Sequence, residues 1–134
     1  MTDQTTNEHD EFLEAAGLGQ YERVIALLNQ GLEADVKDES GATALMHAVK
    51  GEHLETVRLL IERGANRNAK GKYLGFNPIV FAVKASNADI LELLLNDNRE
   101  AALADLQFAF GVAQLLKNQR VMELLKQAIA RKSD

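Results

Sequence analysis

The sequence predicts an all-α fold, a helical-repeat solenoid of about four helix-turn-helix repeats with short hairpin connectors, of which the last repeat is degenerate. Short apolar patterns at helical spacing occur in pairs, and the pairs recur at a nearly constant interval. Helices this short are marginally stable alone in water, because nucleation costs more than so few hydrogen bonds return. Each pair must therefore bury its apolar face against a neighbouring pair.

The clearest pair lies between Asp38 and Lys70. Thr43 is a helix-capping residue, and residues 44–49 after it place apolar groups on one side of about two helical turns. Residues 54–61 restart the apolar pattern, which ends at Gly64, a residue suited to the left-handed position after a helix. These features predict a helix, a turn and a second helix.

Copies of this unit lie on both sides of it. Gly31 and Gly64 occupy equivalent places, and the same interval separates Val24 from Val57. The interval before the clearest unit is therefore constant.

The next copy follows at an interval one position longer, which aligns Thr43 with Asn77. Asn98 then stands where the glycine would be, and Asn tolerates a positive φ better than other residues with a side chain. We therefore expect Asn98 to adopt that conformation.

This pattern resembles the ankyrin repeat. The T-P-L-H-x-A core of that family corresponds to residues 43–48 (TALMHA) and 77–82 (NPIVFA), neither of which is complete. The second-helix signature is closer, in residues 53–60 (HLETVRLL) and 64–66 (GAN). The resemblance covers the stretch from Asp10 to Asn98 well and the remainder weakly. It implies extended hairpin connectors at right angles to the helices, with Asp38 and Gly41 at the family's turn positions.

We expect residues 1–9 to be a disordered lead-in and residues 10–132 to form one domain. Asp10 is the expected N-cap of the first helix. The repeats are expected at approximately 10–37, 38–70, 71–98 and 99–132.

The last repeat differs from the others. Residues 101–116 are apolar nearly all round, and the best match to the preceding repeat takes a shorter step than the earlier ones, from Ala82 to Ala113. We infer that the connector after Asn98 has lost its hairpin and that residues 100–104 lead directly into a helix.

Composition excludes several classes of function. The 134 residues carry a net charge of −5 and contain no cysteine, so bulk nucleic-acid binding, disulfides and thiolate chemistry are not expected. No apolar run approaches the roughly 18 residues of a membrane span, and residues 1–11 do not resemble a secretory signal. We expect a cytoplasmic protein that binds neither nucleic acid nor membrane and is monomeric when free.

No set of residues indicates catalysis, a cofactor or a metal. His47 and His53 are six residues apart, which is not a metal-ligand spacing on one helix. His53 occupies the histidine position after the inter-helix turn of the family, where its ring can hydrogen-bond to the backbone. Asp89 and Glu92 lie one turn apart, as expected of a solvated helix face. We therefore predict no catalytic, cofactor-binding or metal-binding residues and a protein that is not an enzyme.

The most unusual stretch is residues 73–76, in the second connector. By alignment Tyr73, Leu74 and Phe76 fall on the hairpin tip and at the start of the inner helix, positions that face a partner in ankyrin-like proteins. Large apolar side chains there leave apolar area in water unless something covers it. The alternative is that Phe76 or Tyr73 folds back against Phe81 or the last repeat. The candidate partner-binding residues are Tyr73, Leu74, Phe76, Lys72, Arg67, Glu39, Ser40, Lys50 and Lys84.

The function expected from the resemblance is non-catalytic binding of a protein partner by the concave surface of hairpin tips and inner helices. Net charge is −8 over residues 1–41 and positive over the remainder, so we expect a partner of mixed charge. The alternatives are a small inhibitor or immunity-type protein that blocks an enzyme or toxin, a structural subunit of a larger complex and, from another class, an unrecognised hydrolase.

Overall fold

The structure, a computed structural model, describes the backbone of residues 4–132 and the side chains of residues 7–132. Within this range the chain forms eight α-helices, and none of them is long and apolar enough to cross a membrane. Their bounds are α1 Gln4–Leu18, α2 Tyr21–Asn29, α3 Ala44–Lys50, α4 Leu54–Glu62, α5 Pro78–Lys84, α6 Ala88–Leu95, α7 Leu103–Leu116 and α8 Gln119–Lys132.

The helices pack as four pairs stacked in sequence order. Helices α1, α3, α5 and α7 form one row, here named the inner row, and each packs on the next. Helices α2, α4, α6 and α8 form the outer row in the same way. Leu59, Leu94 and Leu124 lie on α4, α6 and α8, so they occupy successive layers and do not converge on one centre. The predicted all-α repeat solenoid is confirmed.

Local polar groups fix where the inner helices begin. Thr43 Oγ1 accepts a hydrogen bond of 3.3 Å from the Met46 amide, which confirms the predicted cap of α3. Asn77 Oδ1 accepts one of 2.9 Å from the Val80 amide at the start of α5. Pro78 follows in the first turn, where a missing N–H removes no helical bond.

The first helix begins earlier than predicted. Residues 4–9, expected to be part of a disordered lead-in, are the first residues of α1, and Asp10 lies inside the helix rather than at its cap. Residues 1–3 lie outside the described residues. Adding a residue to an existing helix costs far less than nucleating one, and residues 4–9 contain no turn.

The last connector has no hairpin, as predicted, and α7 contains 14 residues against 7 in α3 and 7 in α5. The expected positive φ at Asn98 is wrong, because Asp97 adopts it, at +54°. Asn98 is nearly buried and instead uses its side chain, whose Nδ2 donates to the Leu94 carbonyl and to Asn68 Oδ1.

Candidate protein-binding surface

The turn of the first connector is organised around Asp38. Its Oδ1 atom accepts hydrogen bonds from the Ser40 amide at 2.9 Å, the Ser40 hydroxyl at 2.6 Å and the Ala42 amide at 3.0 Å. His47 Nε2 on α3 donates to Oδ2 at 3.0 Å. Burial raises the pKa of this carboxylate, but the bonds from Ser40, Ala42 and His47 outweigh that effect and lower the pKa from 3.8 to about 2. The carboxylate therefore holds the turn as an anion.

The second connector lies directly on the first. The Lys72 amide donates to the Ser40 carbonyl at 3.1 Å, and Lys37 Nζ donates to the Lys70 carbonyl at 3.4 Å. A Cβ atom on Gly41 would lie 3.0 Å from the Gly71 Cα atom, so the two backbones touch. The position of the second connector is set by the turn beneath it.

The tip of the second connector presents two apolar side chains to solvent. Tyr73 is 67% exposed and Leu74 is 88% exposed. The tip is nevertheless closed by backbone hydrogen bonds from Gly71 to Phe76 at 2.7 Å and from Phe76 to Tyr73 at 3.0 Å. We name residues 72–74 the connector-2 tip.

Phe76 folds back, as the alternative interpretation of its position allowed. The centroid of its ring lies 4.9 Å from that of Phe81 and 5.9 Å from that of Tyr73, and both pairs meet edge to face. With Phe81 it covers a small buried cluster that contains Ala42 and Met46. Phe76 is therefore half-buried and supports the tip, while Tyr73 remains exposed.

The second connector also packs against α7, at Gly75. Gly75 has a φ of +74°, and a Cβ atom there would lie 2.7 Å from the Phe108 ring. At Gly71 a Cβ atom would lie 1.9 Å from the Phe76 ring. Both positions need glycine because the connector is packed against aromatic side chains.

Arg67 is used within the fold. Its guanidinium donates to the carbonyls of Leu93, Asn96 and Asp97, at and beyond the C-terminus of α6. These carbonyls have no partner within the helix, and the five donors of arginine suit them. Arg67 is a partner-binding candidate from sequence, and in the structure its guanidinium caps the C-terminus of α6.

The remaining candidates differ in exposure and in whether their polar groups are already hydrogen-bonded within the chain. Glu39 is exposed, whereas the Ser40 hydroxyl is occupied by Asp38. Lys50 and Lys84 are exposed and end α3 and α5, at equivalent places on the inner row.

Four exposed apolar residues on α7 are not among the candidates predicted from sequence: Leu103, Phe108, Leu115 and Leu116. Leu115, 82% exposed, occupies on α7 the place that Lys84 occupies on α5. Phe108, 40% exposed, lies against Gly75 of the second connector. The shortened step that matches Ala82 with Ala113 also aligns Lys84 with Leu115, so that alignment could have found Leu115.

The polar groups that resemble catalytic residues have structural partners. His53 Nε2 donates to the Gly17 carbonyl at 3.0 Å, which confirms its predicted contact with the backbone. Arg120 Nη2 lies 3.1 Å from Asp89 Oδ1 and 3.4 Å from Glu92 Oε2, so both carboxylates are paired with it. Among the described residues, no three His, Asp or Glu side chains come together as a metal site would require.

Two open clefts add no chemistry to this picture. One, of about 470 Å³, lies between the outer helices and contains Asp89, Glu92 and Arg131. The other, of about 520 Å³, lies under the shortened last connector and contains Arg99, Arg131 and Lys132. The residues that line these two clefts include no histidine. Neither cleft therefore brings together the histidine and carboxylate that would support the hydrolase alternative.

Stacked helix pairs, with an ordered connector before α3 and before α5, define a helical-repeat protein. Comparison with known proteins gives the family. The profile of "Ankyrin repeats (3 copies)" matches residues 12–105, more than half of the chain, and the chain belongs to the ankyrin repeat family. Proteins of this family generally mediate protein–protein interaction and are generally non-catalytic.

Three curated relatives illustrate the similarity. "Ankyrin repeat, SAM and basic leucine zipper domain-containing protein 1" of Notamacropus eugenii is 36% identical over 74% of this chain and 22% of its own length. "B-cell lymphoma 3 protein homolog" of Mus musculus is 32% identical over 84% of this chain and 25% of its own length. "Probable E3 ubiquitin-protein ligase XBOS32" of Oryza sativa subsp. japonica is 35% identical over 62% of this chain and 17% of its own length. The chain thus spans a quarter or less of the length of these relatives.

Proposed function

We propose that this chain binds a protein partner through the connector tips and the exposed ends of the inner helices, without catalysing a reaction. Tyr73 and Leu74 are the expected anchors, and Lys72, Lys50 and Lys84 extend the surface along the inner row. Tyrosine combines a large apolar area with a polar group, and it is enriched at the centres of interfaces.

The observation that carries this proposal is the combination of exposure and order at the connector-2 tip. Tyr73 and Leu74 expose most of their surface, although the loop that holds them is hydrogen-bonded to itself and to the Ser40 carbonyl. A loop already ordered when free loses little conformational entropy on binding, so more of the buried apolar area contributes to affinity.

Charge suggests what the partner looks like. The tip of the first connector carries the exposed acid Glu39, whereas the connector-2 tip carries Lys72. Opposite charges on neighbouring tips favour a partner whose contact surface carries both signs in the complementary order.

The test is capture of a partner from the native source on immobilised protein, compared between wild type and Tyr73→Ala. We expect Tyr73→Ala to reduce the captured partner about tenfold or more, the size of an interface anchor. Tyr21→Ala is the matched control, because Tyr21 is another exposed tyrosine but lies on α2 in the outer row. Equal losses in the two variants would contradict the proposed surface.

A further inference from the structure

Helix α7 has an apolar side that the described part of the chain covers only in part, where Phe108 lies against Gly75. One side of the helix is buried against its neighbours through Leu106, Ala109 and Ala113. At 100° per residue, four residues project from the opposite side. These four residues, which we name the α7 stripe, are Ala104, Phe108, Gly111 and Leu115.

Gly111, in the middle of the stripe, is unexplained by packing within the chain. A glycine inside a helix lowers helix stability, so it usually serves a close approach. A Cβ atom on Gly111 would meet nothing within 4 Å, in contrast to Gly75 and Gly71, where a Cβ atom would collide with a phenylalanine ring. The notch at Gly111 is therefore open to a side chain from outside.

The side chains of the stripe complement in size those of a second copy that runs antiparallel to it. Its residues are separated by four, three and four positions, the spacing of the contact seam between paired helices. In an antiparallel pair related by a twofold axis, Phe108 lies opposite Gly111 of the other copy, and Leu115 lies opposite Ala104. Both large side chains then meet small ones, whereas a parallel pair in register would place Phe108 against Phe108.

Charges at the two ends of α7 favour the same arrangement. Glu100 is exposed just before the helix, and Lys117 is exposed at its C-cap. Neither forms an ion pair among the described residues. An antiparallel pair brings Glu100 of each copy toward Lys117 of the other and opposes the two helix dipoles. Gln107 and Gln114, exposed on one flank of the stripe, are uncharged, and Asp105 on the other flank is paired with Lys70.

We propose that two copies of this chain associate through antiparallel pairing of their α7 stripes. This inference differs from the monomer that the sequence leads us to expect. Apolar residues lie nearly all round α7, so the sequence did not indicate which side stays open. The stripe adjoins the second connector at Gly75, but it does not include Tyr73 and Leu74, the anchors of the proposed function.

Sedimentation equilibrium over a range of protein concentrations tests the association. The mass of the wild type should rise with concentration from one chain toward two. Gly111→Leu fills the notch and should stay monomeric at every concentration. At concentrations where the wild type is also monomeric, its melting temperature should not fall, because the site is open. Lys126→Leu, which adds the same side chain at an exposed place on α8, should associate like the wild type. A wild type that stays monomeric throughout overturns the proposal.

Disulfide trapping tests the direction of pairing, since the chain has no cysteine of its own. In Ala104→Cys/Leu115→Cys the two thiols of one chain are about 16 Å apart along α7, too far to bridge. Mild oxidation should therefore give covalent dimers, and Ala104→Cys alone should give few. The double variant Gln119→Cys/Ala130→Cys has the same spacing on exposed positions of α8 and is the matched control. Equal cross-linking in the control, or efficient cross-linking of Ala104→Cys alone, overturns the antiparallel pair.

Discussion

The Nε2 atom of His47 on α3 lies 3.0 Å from Oδ2 of Asp38, on the turn of the connector before that helix. One repeat later, in the alignment that matches Thr43 with Asn77, Lys72 stands in place of Asp38 and Phe81 in place of His47. The second connector is instead held to its helix by the edge-on contact of Phe76 with Phe81. The two connectors are therefore ordered by different chemistry, polar in one and aromatic in the other.

The lowered pKa of Asp38 predicts a pH dependence of stability. Because the folded pKa of about 2 lies below the ordinary value of 3.8, the ionised carboxylate stabilises the fold above pH 3.8, and this contribution is lost as pH falls toward 2. Allowing for partial exposure, we expect about 1–2 kcal/mol. Urea unfolding of wild type and Asp38→Asn should differ by this amount at pH 5 and converge toward pH 2. A difference that does not change with pH would contradict the assignment.

Phe76 and Tyr73 should respond differently to truncation. Phe76→Ala removes a ring packed on Phe81 and should lower the free energy of unfolding by about 2 kcal/mol, less than a fully buried phenylalanine would. Tyr73→Ala should change it by no more than about 0.5 kcal/mol, because the side chain is mostly in water. Thermal unfolding checks both, and an equal loss in Tyr73→Ala would place Tyr73 in the core.

Removal of the Arg67 guanidinium should destabilise the end of α6. Arg67→Ala leaves three carbonyls without this donor, which should cost about 1–2 kcal/mol in urea unfolding. Arg67→Lys should recover only part of this loss, because an ammonium group lacks the planar fork. Arg63, whose guanidinium bonds to the exposed Asn29, provides the control, and Arg63→Ala should have little effect. Comparable losses at the two arginines would argue against a capping role.

Two glycines should give opposite results when replaced by alanine. Gly111→Ala should raise the free energy of unfolding by about 0.5–1 kcal/mol, because the helix gains stability and the added methyl group meets no neighbour. Gly75→Ala should lower it, because the residue has a positive φ and lies against Phe108. Melting temperatures of the two variants, measured at a concentration where the chain is monomeric, give the comparison, and a loss in Gly111→Ala there would show that the notch is filled within the chain.

Features set by neighbouring residues were predictable from sequence. The cap at Thr43 depends on the nearby Met46 amide, and the helix pairs follow from the spacing of apolar residues. The loss of the last hairpin was indicated by the shorter step from Ala82 to Ala113. These signals need no knowledge of what packs where.

Features that depend on distant parts of the chain were not predictable. Arg67 caps the end of α6, which lies far along the sequence, so its own neighbourhood indicates only a basic connector. Phe76 turns inward because the Phe81 ring is within reach, a fact of packing rather than of pattern. Apart from Leu115, which aligns with Lys84, the open side of α7 had no signal, because apolar residues lie nearly all round that helix.

Hydrogen–deuterium exchange of the protein, free and bound to its captured partner, tests the central claim most directly. If the connector-2 tip binds the partner, residues 71–76 and the C-terminal ends of α3 and α5 should exchange more slowly in the complex than in the free protein. Slower exchange confined to the outer helices α2, α4 and α6, with residues 71–76 unchanged, would contradict it.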